Sequence, residues 1–511
     1  MTTSSIDLRS QRRDARLLAA ERRGKLIVDD DGDLCFGDDA KAGREAFLAQ
    51  RLYPLVEVGV KSVAWCIMWG IAQGPDETTY WQAQQEKVPL NEAIADPTPV
   101  MAEGARRAGM EVFASIRMND THDAFGKPHG RLIYPLKVEH PEWLLGHESE
   151  QGDFEVAPQA LMWSGLDYSV PDVREDRLWW VRHSAESYDV DGVELNFFRM
   201  PWFFKRGKVA EGIPLVTDLI RKARRIVDRV SEMRESPMLL GVRVPGAVET
   251  CLRVGIDVEA WLREDLVDRL LIGGGYSPYT SPAEETVRMA HDHEVPAYPC
   301  INCSAPGVGP DAAMRGAASN VFWTGADGIY LWNYHYRDVP MLGYGRPEQS
   351  AYELLREIGS PTALAHSDKA FGIEGPEFVG PYAIASHPTQ LPLDLGRRAM
   401  KVVKTVRLRI GDDLGAARRA GRLDRAVLEL GFTGIQTGDR IGVQINGSML
   451  RSTACAESSD PDGRSVKRCY EVPAQAVKPG DNTLTLWIDG RSFQADGDVT
   501  LTEAWVNVTY R

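Results

Sequence analysis

No run of 18 apolar residues occurs in this chain of 511, so a membrane-spanning helix is not expected. The opening stretch, MTTSSIDLRSQRRDARLLAAERRGK, is polar and basic and contains no apolar core of a secretory signal, which points to a cytoplasmic protein. Cysteines are few and scattered: Cys35, Cys66, Cys251, Cys300, Cys303, Cys455 and Cys469. That spread suggests reduced thiols rather than a disulfide framework. Cys300 and Cys303 form a lone CxxC whose members face opposite sides of a strand, and no second CxxC exists, so no metal centre is expected. Basic charge is in deficit too, with 59 Lys and Arg against 73 Asp and Glu, a net charge of -14 that disfavours a nucleic-acid partner. Nucleophile elbows, Walker motifs, repeats and low-complexity tracts are missing as well.

What is present has an ordinary globular make-up, 43% hydrophobic and 26% charged, and is long enough for two or more domains. After an N-terminal arm (1–24), strand-like and helix-like segments alternate. Strands are predicted at KLIVDDDGD, KSVAWCIMWG, EVFASIRMND, DGVELNFF, MLLGVRVPG, RLLIGGGY, AYPCINCSA and DGIYLWNYHY, each followed by a helical stretch. In the helix after the third strand, Ser169 can cap and Pro171 sits in the first turn. Eight such units over residues 25–368 predict a (β/α)8 barrel with parallel strands. No glycine-rich turn follows the first strand, which argues against a dinucleotide-binding open sheet. From 369 to 511 the rhythm becomes short alternating segments, such as KTVRLRI, RIGVQING and NTLTLWIDG, between Gly, Asn and Asp turns. These predict an antiparallel β-sandwich.

In such a barrel the chemistry lies at the C-terminal strand ends. Those ends carry Asp29, Asp30 and Asp31; Trp65 and Trp69; Arg117, Asn119, Asp120, His122 and Asp123; Glu194, Asn196 and Arg199; Arg243, with Glu249 beyond. Strands six to eight add Tyr276 and Tyr279, Asn302, Trp332, Asn333, His335 and Tyr336. The aspartate run reads as a solvated loop more readily than as a metal cage. Within DGVELNFF, alternation places Glu194 and Asn196 on one face and Val193, Leu195 and Phe197 on the other. The apolar set is expected against the helices and the polar pair inside the barrel, where an isolated charge is costly.

Carboxylates, amides, arginines and aromatics gathered at a barrel mouth suit a carbohydrate, with rings for stacking and polar groups for hydroxyls. Glycoside hydrolysis needs two carboxyl groups, roughly 5–5.5 Å apart for retention or about 6.5–9.5 Å for inversion. Glu194 is the first candidate for acid/base or nucleophile and Asp120 its first candidate partner, followed by one of Asp29–Asp31 and then Glu249. Trp69, Arg117, Asn119, His122, Asn196, Arg199, Arg243, Tyr276, Asn302, Trp332, Asn333, His335 and Tyr336 are candidates for contacting the sugar.

The segment YDVDGVELNFFRMPWFF, with SIRMNDTHD, HPEWLL and LDYSVPDVRE before it, resembles bacterial glycosyl hydrolases of the family 10-like group over roughly residues 25–360. That resemblance implies a glycosidase barrel followed by a β-sandwich. DGVELNF is also similar to the fourth-strand signature of α-amylase-type and chitinase-type barrels, in which a carboxylate stands two or four residues beyond the Glu194 position. Here those positions hold Asn196 and Phe198. Either the chain is divergent or inactivated, or Glu194 does the chemistry and Asn196 holds a hydroxyl.

The expected protein is thus a glycosidase without a cofactor, acting on an oligosaccharide or small glycoside. Its arginines favour an acidic sugar, and its second domain would brace the barrel or join subunits of a homo-oligomer. Two other readings stay open. One is a metal-assisted sugar lyase or isomerase using Asp29, Asp120, Glu194 and His122. The other is a sugar binder without turnover.

Overall fold

Leu26–Asp30 shows in five residues how this chain closes a barrel. Successive side chains point to opposite faces of a strand. Leu26 and Val28 join the core under the helices, while Ile27 packs with Ala64, Leu271, Tyr298, Cys300, Tyr330 and Trp332 in the barrel interior. Both faces are covered, as a parallel sheet requires.

The computed structural model describes residues 3–21, 24–30, 43–67, 97–125, 134–150, 162–273, 282–302, 311–334, 349–373, 389–399, 401–455 and 466–511. Strands β1 (Leu26–Asp30), β2 (Ser62–Cys66), β3 (Glu111–Arg117), β4 (Gly192–Asn196), β5 (Leu239–Val244), β6 (Arg269–Ile272), β7 (Ala297–Asn302) and β8 (Ile329–Trp332) form a closed barrel in sequence order. Each neighbouring pair is parallel, and β8 returns to β1.

Among the described residues, the helices of eight residues or more are α1 (Thr3–Glu21), α2 (Arg44–Arg51), α3 (Pro97–Arg107), α4 (Pro171–Ser187), α5 (Val209–Arg234), α6 (Glu284–Asp292), α7 (Asp311–Trp323) and α8 (Gln349–Ile358). Two short helices, Val248–Arg253 and Val258–Arg263, stand between β5 and β6. None of the helices is long and apolar enough to cross a membrane. Pro171 opens α4 as expected, but the N-cap residue is Val170 rather than Ser169. The backbone N–H of Ser169 instead donates to Asp167 Oδ1 in the preceding turn.

The N-terminal segment contains a helix that lies across the barrel base. Ala20 of α1 packs with Phe113 and Leu239, and Arg16 pairs with Asp265 and Asp268 just before β6, each at 2.6 Å.

After residue 368 the chain forms β9 (Lys369–Ile373), β10 (Leu393–Gly396), β11 (Lys404–Ile410), β12 (Leu423–Thr433), β13 (Arg440–Ile445), β14 (Ser448–Met449), β15 (Arg451–Thr453), β16 (Val466–Glu471), β17 (Gly480–Gly490) and β18 (Val499–Tyr510). One antiparallel sheet runs β10-β18-β12-β16-β15, with β9 also on β18, and the other runs β11-β17-β13-β14. Alternating residues of both, including Leu408, Leu428, Leu430, Val443, Leu486 and Val506, share one core. The expectation of reduced thiols fails here, because Cys455 and Cys469 form a disulfide, Cα–Cα 5.2 Å. Antiparallel pairing puts Thr453 opposite Cys469, so the chain leaving β15 brings Cys455 to it, a neighbour that spacing alone does not reveal. Cys66, Cys251 and Cys300 are buried, and Cys35 and Cys303 lie outside the described residues.

The two cores meet where α7 packs on β9. Gly316 allows that approach, since a Cβ there would overlap the Ala370 carbonyl oxygen of β9. Gly316→Ala is therefore expected to destabilise the protein by about 1–3 kcal/mol through overpacking. A lowered thermal midpoint in calorimetry checks this; an unchanged midpoint refutes it.

Candidate active site

Strand register arranges the barrel's inward side chains in tiers. Arg117, Asn196 and Arg243 stand side by side on β3, β4 and β5, toward the C-terminal mouth. One tier deeper, Ser115, Glu194 and Gly241 do the same. Opposite them, Trp332 of β8 lies in register with Asp29 of β1, and Tyr330 with Ile27.

The deep tier holds a bridged pair of carboxyls. The Tyr330 hydroxyl is 3.0 Å from Glu194 Oε1 and 2.9 Å from Asp29 Oδ1, and Ser115 Oγ donates to Glu194 Oε1 at 2.8 Å. Arg243 Nη1 lies 3.7 Å from Asp29 Oδ2, and its guanidinium sits 4.8 Å from the Tyr330 ring centroid and 5.6 Å from that of Trp332. It also donates to the Gly273 carbonyl at 3.3 Å and approaches Cys300 Sγ at 3.7 Å. All five of Asp29, Glu194, Arg243, Cys300 and Tyr330 are buried. Burial pushes the Glu194 carboxyl above its ordinary range, against the pull of Arg243 and of hydrogen bonds from Ser115 and Tyr330. Burial, reinforced by the Asp29 and Glu194 charges, holds the Tyr330 phenol protonated. The Cys300 thiol is pushed up to about 12, chiefly by burial.

Asp29 and Asp30 are thus no solvated loop. Both are buried strand residues, and alternation sends Asp30 outward to Arg51 of α2, with Nη1 3.0 Å from both carboxylate oxygens. Asp31 lies outside the described residues.

Nearer the mouth, Asp120 pairs with Arg117 at 2.8 Å and keeps 12% side-chain exposure, against 2% for its partner. Arg199 lies 5.1 Å from the Trp332 ring centroid. Asn119 has all four hydrogen-bonding positions occupied by protein: its amide donates to the Leu166 and Trp202 carbonyls, and its oxygen accepts from Leu166 and Asp120 N–H. It fastens the segments after β3 and β4 to residues 162–168. Asn196 Oδ1 accepts the Arg199 N–H at 2.9 Å, turning the chain out of β4. Asn333 is buried just past β8 with φ 52, in the left-handed region that Asn tolerates better than most residues. Of His122 and Asn302 only the backbone is described, in a 3-10 turn and at the end of β7. Trp69, Tyr276, His335 and Tyr336 lie outside the described residues. Glu249 is exposed, on the first short helix after β5.

Three participants were absent from the sequence expectations: Ser115, Tyr330 and Lys137. Ser115 and Tyr330 each stand two residues before an expected mouth residue, Arg117 and Trp332, so strand alternation already places them on the inner face. Lys137 carried no such signal. It bridges Asp123, Ser164 and the Asp120 carbonyl from the short helix Pro135–Glu139, outside every strand. No three His, Cys, Asp or Glu side chains among the described residues are grouped as a metal site.

No family model matches this chain, and no curated protein does. Among solved structures, it is similar to a GH36 alpha-galactosidase from Geobacillus stearothermophilus, 11% identical over 96% of this chain and 56% of that one, with a TM-score of 0.37. The chain thus spans little more than half the length of that enzyme. It is also similar to an alpha-amylase from H. orenii (12% identity, 91% and 99% coverage, TM-score 0.39) and to an endo-1,4-beta-mannanase from Rhizomucor miehei (11%, 68% and 96%, TM-score 0.42). At such identities and scores no residue role or substrate passes from these proteins to this chain.

Proposed function

We propose that this chain hydrolyses a glycosidic bond in a small glycoside or oligosaccharide bearing an acidic group. The observation that carries the reading is the pair of buried carboxyls, Glu194 and Asp29, joined by one phenol beneath a mouth edged with arginines and Trp332. A carboxyl whose neutral form is favoured by burial can supply the proton for a leaving glycosidic oxygen. Asp120, on the β3 side and more exposed, is assigned the role of second carboxylate, to activate water or to attack the anomeric carbon. Arg117, Arg199 and Arg243 supply a positive field for a uronate or similar anion. The sequence resemblance over residues 25–360 points to the same reaction class.

A second reading is favoured by Asn196, which occupies the mouth tier one step above Glu194 beside Arg243. If a working carboxylate belongs there, the chain binds sugars without cleaving them.

The test is a panel of neutral and uronic aryl glycosides presented to the protein, to Asp120→Asn and to Asn196→Asp. The expected result is release of the phenol, faster from uronides, and a loss of about 10²–10⁴-fold in Asp120→Asn. Calorimetric binding of the panel without turnover, with activity appearing only in Asn196→Asp, would establish the second reading.

A further inference from the structure

One hydroxyl proton cannot serve two carboxylates. The Tyr330 oxygen is within hydrogen-bond distance of both Asp29 and Glu194, yet a phenol donates only once. At its other contact the phenol oxygen must accept, and only a protonated carboxyl can donate there. With both carboxyls ionised, two buried oxygens would meet at 3.0 Å with no proton between them, which low dielectric makes costly.

The surroundings decide where the extra proton rests. Polar and titratable side chains reach the cluster from nearly every strand: Asp29 from β1, Ser115 from β3, Glu194 from β4, Arg243 from β5, Arg269 from β6, Cys300 from β7 and Tyr330 from β8, whereas β2 contributes Ala64. Of the two cations, Arg243 lies beside Asp29. Arg269 turns to the base, against the Phe113 ring, Ser62 and Glu111. Negative charge is therefore best placed on Asp29 and the proton on Glu194, whose burial favours its neutral form.

We propose that Asp29, Tyr330 and Glu194 are one proton-sharing unit, with the proton resident on Glu194 and delivered through the phenol to Asp29. In the transfer, the Glu194 O–H bond breaks as a bond forms to the Tyr330 oxygen, and the original Tyr330 O–H proton passes to Asp29 Oδ1. The phenol ends neutral, one negative charge has moved from Asp29 to Glu194, and no other reactant is consumed. Glu194 is then a reservoir, Tyr330 a positioning residue, and Asp29, beside Arg243, the group that passes the proton on. Its use in turnover rests on the hydrolase reading; the shared proton does not.

Infrared difference spectroscopy of the full-length protein at neutral pH reads the proton directly, because ordinary carboxyls are ionised there. Wild type minus Glu194→Gln is expected to show one protonated-carboxyl C=O band. Asp29→Asn is expected to abolish the band too, since Glu194 then ionises to face Arg243 and accept the phenol's bond. Tyr330→Phe is expected to shift its frequency. If Glu194→Gln does not fold, the other two variants decide the same question. A wild-type spectrum without such a band, or a band that Glu194→Gln or Asp29→Asn leaves untouched, overturns the proposal. These spectra are taken without substrate, so a lack of glycosidase activity would not affect them. Conversely, turnover without the band would sink the relay alone.

Discussion

Asparagine in place of Asp29 is expected to lower turnover of the best aryl glycoside by about 10²–10⁴-fold, the usual loss when a general acid or base is removed. The fold is expected to survive. The substituted amide can donate its N–H to the Tyr330 oxygen while the phenol donates to an ionised Glu194, which takes up the charge that faces Arg243, so the buried guanidinium is not stranded. Steady-state rates measured beside a thermal melt separate the two effects. A large loss of rate with an unchanged melting midpoint supports direct participation, and full activity in Asp29→Asn would remove Asp29 from the chemistry.

The largest expected loss of stability lies at the other end of the barrel. Asp268 is buried and ties three elements together: Arg16 of α1 at 2.6 Å, Arg224 of α5 at 2.6 Å and the Leu240 N–H of β5 at 2.8 Å. Asp268→Ala leaves two largely buried guanidiniums without their shared carboxylate, which typically costs about 3–5 kcal/mol. Removing an exposed pair such as Arg44–Glu103 is worth less than about 1 kcal/mol and serves as the control. Urea titration should show a lower midpoint for Asp268→Ala with an unchanged slope; a midpoint like wild type's contradicts the assignment. The same group predicts acid sensitivity. Burial alone would raise the Asp268 pKa, but Arg224, Arg16 and the Leu240 N–H outweigh it and hold the carboxyl below its ordinary range. Its folded value lies under its unfolded one. The stabilisation is therefore complete above the unfolded value of about 3.9 and is lost as pH falls through the folded one.

Much of the barrel was legible because burial on both faces leaves a period-two pattern in every strand. Glu194 could be read as inward from Val193 and Leu195 alone. The aspartate run shows where such reading stops. Three acids in a row look solvated by composition, yet Asp29 and Asp30 point to opposite faces and meet Arg243 and Arg51, partners that no local window contains. Asn119 illustrates the converse. Its residue type suits a sugar hydroxyl, but the backbone of residues from 120 to 202 occupies all its hydrogen-bonding positions. The Cys455–Cys469 bond was hidden for a similar reason, since it depends on which strands become neighbours. Local pattern reports the face a residue takes; the partner waiting on that face is set by closure of the whole sheet.

The helix across the barrel base has a consequence for the order of events during synthesis. Arg16 leaves the ribosome 252 residues ahead of Asp268, its buried partner. Until residue 268 has been made, Arg16 lacks its native acids Asp265 and Asp268, although Arg12 can already meet Glu232. Closing this ion pair across the base therefore waits on synthesis of the 252 residues that separate its two members.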